Sequence, residues 1–297
     1  MANLRDIRNR ITSVNNTEQI TKAMKMVAAA KLRKAQTRMT ANRPYVAKMK
    51  GITGRLAAAN TGSSQLLRKP KETKRVLFIV VGSDRGLCGG FNNNLFKEVE
   101  REIEARFDSF RSSGALDLLT IGRKAEAHFK KRNYQVVNSF PGFFDNLNFP
   151  DTASIMQQVI GQFTDGDYDA VYLAYNEFKS VIVQTRVISQ LLPIIPEQLL
   201  ADQPGDSVDQ SDYIYEPDGE QILNYLLPVY LNVRLWSAVL ESNASEQGAR
   251  MAAMDNATEN AKELKRDLKL QYNRARQSAI TTEISEIVSG AQALEEQ

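Results

Sequence analysis

The feature that most constrains this chain is its C-terminal run from Val229 to Leu294, sixty-six residues without a proline and with only Gly248 and Gly290 as glycines. Small and apolar residues recur at Ala244, Gln247, Met251, Met254, Thr258, Ala261, Leu264, Leu268, Tyr272, Ala275 and Ala279. They continue at Ile284, Ile287, Ala291 and Leu294. Steps of three and four are the period of a supercoiled helix seam. One helix of that length is roughly 100 Å long at about 1.5 Å per residue. Such an element suits a mechanical or architectural task better than catalysis.

A second stripe opens the chain. Leu4, Ile7, Ile11 and Val14 are spaced three and four apart; after an offset at Asn15-Asn16-Thr17 the pattern resumes at Ile20, Met24, Val27, Leu32, Ala35, Met39, Val46 and Met49. The offset predicts a stutter, and Pro44 predicts a kink near Arg43. Gly51 and Gly54 weaken the last turns. Two long amphipathic helices at opposite ends of one chain each carry a seam that leaves water at ~25 cal/mol per Å². The expected solution is an antiparallel two-helix coiled coil with the remainder inserted at one end. With Ala58 opposite Val229, Leu4 faces about residue 283, so Ile284 to Leu294 lacks a partner within the chain.

Charge is distributed unevenly. Residues 1–58 hold thirteen Lys or Arg against Asp6 and Glu18, residues 229–297 hold eight basic against ten acidic residues, and the middle carries −6 of the total of +3. The basic N-terminal segment calls for an acidic partner: nucleic acid, anionic lipid or an acidic protein surface. Tyr45 is its only aromatic residue, so it offers no stacking platform for single-stranded nucleic acid. Cys88 is the only cysteine, which rules out an intrachain disulfide and fits a reducing compartment. No apolar run reaches the ~20 residues of a membrane span, and the N-terminus lacks the apolar core of an export signal. Its basic, amphipathic start resembles a mitochondrial transit segment, but the pattern runs on for fifty residues.

Between the helices the pattern changes. Asn60 to Thr73 reads as a polar linker. Arg75 to Gly82 is a buried strand, Leu116 to Ile121 a second, Tyr134 to Val137 a short third, Ala170 to Tyr175 a fourth and Val181 to Leu191 a fifth. Helices are expected near residues 95–107, 123–131 and 152–163, and residues 197–219 as loop. The β-α-β-α order predicts a Rossmann-like, mainly parallel α/β sheet with helices on both faces. The domain plan is therefore an N-terminal coiled-coil helix (1–58), a linker (59–74), a central α/β domain (75–219) and a C-terminal coiled-coil helix (220–297). Pro228 fits the first turn of that last helix or a kink into it.

Catalytic signals are thin. Gly82-Ser83-Asp84-Arg85-Gly86-Leu87-Cys88-Gly89-Gly90 stands between a strand and a helix, where phosphate-binding loops sit, but it matches neither nucleotide fingerprint. Cys88 and the single histidine, His128, are far apart in sequence, and one of each does not make a zinc site. Asp165, Asp167 and Asp169 around Gly166 lack the glutamate of a calcium loop and read as a turn. No cofactor, metal or catalytic residue is expected; an enzyme built on the central domain and a nucleic-acid-binding scaffold are the alternatives to a mechanical role.

Five segments carry a resemblance: Asn3 to Arg8, Ile20 to Ala29, Ser83 to Gly90, Ala244 to Met251 and Glu283 to Gly290. In this order and at these distances the chain resembles the gamma subunits of F-type ATP synthases essentially from end to end, with the tail Leu294 to Gln297 as an addition. There is no long central insertion such as chloroplast forms carry for redox control. The resemblance implies a rotor shaft standing in a ring of three alpha and three beta subunits, with its foot on the membrane rotor ring beside the epsilon subunit. It implies that the shaft couples proton translocation to ATP synthesis as a peripheral protein on the cytoplasmic side of the bacterial inner membrane. It also implies contacts with the alpha/beta ring at Met24, Lys25, Arg276, Gln277, Thr281, Glu283 and Ile287, and with the membrane ring and epsilon at Tyr213, Tyr215 and Glu216. Some relatives carry an acid where Lys25 stands. Neither nucleic-acid binding nor direct membrane insertion is expected of such a subunit.

Overall fold

The computed structural model describes residues 4–59, 64–68, 70–201, 216 and 218–295. Its long helices are α1 (Leu4–Ala59) and α7 (Gly219–Glu295). Between them run β1 (Val76–Val81), α2 (Phe91–Arg106), α3 (Asp108–Ser112), β2 (Leu116–Ile121), α4 (Arg123–Lys131), β3 (Val136–Phe140), α5 (Phe149–Asp165), β4 (Ala170–Phe178), β5 (Gln184–Leu192) and α6 (Pro196–Ala201). The chain divides into two compact units, one of residues 29–250 and one that joins residues 1–28 to 251–297.

The larger unit is built on a five-stranded sheet in the order β3-β2-β1-β4-β5, parallel except for the antiparallel β4–β5 hairpin. All six residues of β1 are buried, as expected of a central parallel strand covered on both faces. Val76, Phe78 and Val80 face α2 and α4, packing with Leu95, Phe96, Val99 and Phe129. Leu77, Ile79 and Val81 face the opposite way, toward Ile155, Val159 and Phe163 of α5 and toward Leu56 of α1 and Leu231 and Leu235 of α7. Helix ends follow local chemistry. Asn148 caps α5 by accepting the Asp151 N–H at 2.9 Å, and Gly166, with φ of 87°, closes its C-terminus. Asp169 accepts the backbone N–H groups of Lys74 and Arg75, so the aspartate cluster around Gly166 is a turn that ties β1 to β4.

Several expectations are corrected here. Residues 197–219 are not all loop, because α6 occupies Pro196–Ala201 with Leu199 buried. Within the stretch read as linker, Gln65–Leu67 form a 3-10 turn whose Leu66 and Leu67 enter the core. Neither proline breaks its helix: Pro44 lies inside α1 and Pro228 inside α7, nine residues past its start at Gly219. Each ring frees the carbonyl four residues back, Thr40 and Asn224, and both residues are exposed, so water can satisfy them.

The predicted stutter is absent. The inward positions of α1 run 7, 11, 14, 18, 21, 25, 28, 32, 35, 39, 42, 46, 49, 53 and 56, alternating steps of four and three without interruption. Ile20 and Val27, expected in the seam, are 59% and 57% exposed. In α7 the inward positions run 244, 247, 251, 254, 258, 261, 265, 268, 272, 275 and 279, so Leu264 is outside the seam, 50% exposed, and Lys265 is in it. The cause is polar: Glu18, Thr21 and Lys25 occupy consecutive seam positions, and a search for apolar spacing slides one residue to Ile20 and Val27.

Candidate partner-binding surfaces

In the smaller unit the first turns of α1 pair antiparallel with the second half of α7. Arg8 donates to the Tyr272 hydroxyl at 2.8 Å and lies over its ring. Lys265 bonds Glu18 and reaches Asn15 at 3.2 Å. The Thr21 and Thr258 hydroxyls meet at 2.8 Å, and Lys25 pairs with Asp255 at 2.5 Å. The bond from Lys265 holds the Glu18 carboxyl below the usual carboxylate range. These pairs place Leu4 opposite about residue 277, not 283, so the unpartnered end of α7 starts earlier than expected. From Ile280 to Ala291 every residue is exposed, and Ile280, Ile284, Ile287 and Val288 form an uncovered apolar ridge with Ile287 at 70%. Four apolar side chains left uncovered on one segment make it a candidate interaction surface.

In the larger unit the glycine-rich loop is locked rather than open. Ser83 and Asn92 bond one another, closing the loop onto the start of α2. Asp84 accepts three backbone N–H groups, from Arg123 at 3.1 Å, Gly142 at 2.6 Å and Phe144 at 3.0 Å. These donors come from the first residue of α4 and from the loop that follows β3. That is the end of a doubly wound sheet where phosphates bind, and a side-chain carboxylate already satisfies the donors there. Gly122 lets the two loops approach; with φ of 98°, an added Cβ would stand 2.9 Å from the Ser83 carbonyl. From α7, Arg250 donates to the carbonyls of Gly86 and Arg85 and pairs with the buried Glu246. Burial pushes the Glu246 carboxyl up against the pull of Arg250, and burial also raises the Cys88 thiol. Cys88 lies buried beside Asn92 as a small packed thiol, and His128 bonds Glu100 and Arg132. Leu87 is left on the outside with φ of 62°.

Two further anchors involve the middle of α7. Glu241 pairs with Arg43 of α1 at 3.0 Å and accepts the Phe178 N–H, while Arg43 donates to the Phe178 carbonyl. This clamp holds the end of β4, beyond which Ile182 and Val183 are exposed. Ser242 and Ser245 bond the carbonyls of Val81 and Asn176, which fixes the helix to the ends of β1 and β4. Spacing alone did not single out Arg43, Glu241 or Asp84; a polar residue at an inward helical position was the available signal for Glu241.

Of the residues inferred to touch a partner ring, Met24 is half-buried beside the seam and Lys25 is held by Asp255. Arg276, Gln277, Thr281, Glu283 and Ile287 are all exposed on the last turns of α7, with the Thr281 hydroxyl bonded to the Gln277 carbonyl. Structure thus brings the C-terminal five onto one segment and leaves Met24 and Lys25 further along the same coiled coil. Tyr213 and Tyr215 lie outside the described residues, and Glu216 is exposed. Among the described residues, no group of three or more His, Cys, Asp or Glu could hold a metal ion, and no helix is long and apolar enough to cross a membrane.

Two long terminal helices that pair antiparallel at the chain's ends, with a mainly parallel α/β domain between them in sequence, define the class: a coiled-coil protein with an inserted α/β domain. A family model described as ATP synthase matches residues 3–294. The ATP synthase gamma chain of Prosthecochloris aestuarii is 49% identical over 99% of each chain, and that of Chlorobaculum parvum 47% over the whole of both. Among solved structures, a chain of the Tetrahymena thermophila mitochondrial ATP synthase central stalk and c-ring aligns at 31% identity and a TM-score of 0.62, covering 80% of this chain and 99% of that one. A chain of the Euglena gracilis mitochondrial ATP synthase shares the fold, at 19% identity and a TM-score of 0.68 over 98% and 94%. The chain belongs to the ATP synthase gamma chain family.

Proposed function

We propose that the chain is the central rotor of an F-type ATP synthase, linking proton flow through a membrane ring to the catalytic cycle of surrounding alpha and beta subunits. The observation that carries this is the end of α7: from Ile280 to Ala291 every residue is exposed, and the apolar ridge there suits an apolar sleeve. The full-length relatedness to gamma chains supports the same assignment. Relatives and structural neighbours lend no support to the nucleic-acid reading of the basic first helix. Its exposed Arg33, Lys34 and Arg38 suit acidic loops on the beta subunits instead.

Coupling needs no bond-making by this chain. Three chemically equivalent sites surround one rotor that lacks threefold symmetry, so each face stabilises a different conformation of the subunit beside it. A differential contact of a few kcal/mol shifts such an equilibrium by orders of magnitude. Met24, Lys25, Arg276, Gln277, Thr281, Glu283 and Ile287 are the proposed contacts with the ring. Tyr213, Tyr215 and Glu216 are proposed for the foot, beside epsilon and the membrane ring, on the cytoplasmic face of a bacterial inner membrane.

Reconstitution tests the assignment. The chain should co-purify with alpha and beta subunits as a stable complex, and failure to form that complex would refute the rotor role. Within the complex, Met24→Lys introduces a charge near the beta interface and should lower the protons pumped per ATP hydrolysed; unchanged efficiency would remove Met24 from the contact set. Paired Ile284→Asp and Ile287→Asp changes should leave the isolated chain within about 0.5 kcal/mol of its stability, because both positions are exposed. They should also weaken its retention in the ring.

A further inference from the structure

Helix α1 has its sparsest support around Pro44. The helix is buried at Leu32, Ala35 and Met39 on one side of the proline and at Met49, Leu56 and Ala57 on the other. From Thr40 to Lys48 no residue is buried, and only Asn42 and Val46 are partly covered. Pro44 falls in the middle of that gap. It has no N–H to give the Thr40 carbonyl, its ring crowds that carbonyl, and it disfavours a helical backbone at the residue before it, Arg43. A proline inside a helix is the usual place for a sharp bend. α1 nevertheless runs through as one helix from Leu4 to Ala59.

We infer that Arg43, Glu241 and the backbone of Phe178 form a splint across this proline, and that releasing the splint turns Pro44 into a hinge. The residue that the proline unsettles is the one that is gripped. Arg43 Nε donates to Glu241 Oε1 at 3.0 Å and Nη2 donates to Oε2 at 3.2 Å, a two-point pair of fixed geometry. The same Nη2 donates to the Phe178 carbonyl at 3.1 Å. Glu241 is itself held in place: it is 6% exposed, and its Oε2 accepts the Phe178 N–H at 3.0 Å. Phe178 makes a firm post. It ends β4, which runs four residues past Ala174, its last partner position on β1, and it stays opposite Gln184 of β5. Beyond β1 the Phe178 N–H and carbonyl have no strand to bond on that side, and the two helices supply an acceptor and a donor in its place. Arg43 is half-exposed while Glu241 is buried, so the pair holds through its geometry and through the cost of leaving a buried carboxylate unpaired. α1 is thereby tied, at its least supported turn, to α7 and to β4 at once. Arg43 and Glu241 are positioning residues that act on the helix at Pro44.

Spin-label distances across the proline, measured in the full chain, test this without any partner. In a Cys88→Ser background, labels at the exposed positions Lys34→Cys and Ala58→Cys lie about 36 Å apart along a straight helix. The splinted chain should give one narrow distance. Arg43→Met with Glu241→Gln removes the splint, avoids an unpaired buried carboxylate and keeps an acceptor for the Phe178 N–H. It should roughly double the width of the distribution and extend it to shorter distances, with helix content unchanged. Adding Pro44→Ala should return the narrow distance, since a helix without the proline needs no splint. Arg43→Lys alone keeps the charge but not the two-point geometry; it should broaden the distribution less, and it carries the same comparison if the double variant does not fold. A distribution that stays narrow without the splint overturns the inference. So does one that stays broad after Pro44→Ala, because general loosening of the packing would then be the cause and not a hinge.

Discussion

At the scale of single residues, the most consequential side chain is Asp84. It joins three loops by accepting N–H groups from Arg123, Gly142 and Phe144. Hydrogen bonds to a charged group contribute about 1.5–3 kcal/mol each, and Asp84 is half-buried, so Asp84→Ala should cost about 2–4 kcal/mol in urea unfolding. His128 offers a second test. Its Nε2 lies 2.9 Å from Glu100, and Arg132 reaches its Nδ1 at 3.1 Å, which leaves that nitrogen an acceptor and the ring neutral. Burial lowers its pKa below the ordinary 6.5, against the opposing pull of Glu100. A proton then binds the unfolded chain more readily than the folded one, so this contribution is complete above 6.5 and is lost as pH falls through the native value. Because the chain has one histidine, its single imidazole NMR signal should titrate below 6.5 in the folded protein, and a higher value would contradict the neutral assignment. Neither role was legible beforehand, since nothing in the sequence relates Asp84 to Gly142 or His128 to Glu100.

At the scale of elements, inward and outward positions make opposite predictions for the same residue type. Leu268 is 5% exposed and Leu264 is 50% exposed. Leu268→Ala should cost about 2–4 kcal/mol and Leu264→Ala under about 0.5 kcal/mol, read from helix-monitored unfolding. Comparable losses would mean that the seam runs through Leu264 after all. The contrast also shows what periodicity can and cannot supply. β1 and β2 were visible to within a residue as short, apolar-rich runs bounded by turn signals, and α4 as the amphipathic stretch after Gly122. Both long helices were visible because steps of three and four persist over many turns. Their facing was not, because Glu18, Thr21 and Lys265 hold inward positions through contacts made some 240 residues away in sequence. The short α3 and α6 lack any period long enough to detect.

At the scale of the whole molecule, the mainly parallel sheet and the flanking helices followed from element order, and the unpartnered C-terminal ridge from simple arithmetic on helix lengths. The extent of that ridge did not, since it depends on a register set by Arg8 with Tyr272 and Glu18 with Lys265. The candidate contacts at Met24, Lys25 and residues 276–287 came from the resemblance, and local chemistry alone does not single them out. For the assembled complex, the expected outcome is that changes confined to the exposed end of α7 disturb assembly and coupling far more than they disturb folding. Comparing the thermal midpoint of the free chain with ATP-driven proton pumping by the complex, variant by variant, measures this directly.

The seat that Asp84 fills has a consequence for life inside a nucleotide-driven engine. With those backbone donors already taken by the chain's own carboxylate, a phosphate group finds no free donor among the three.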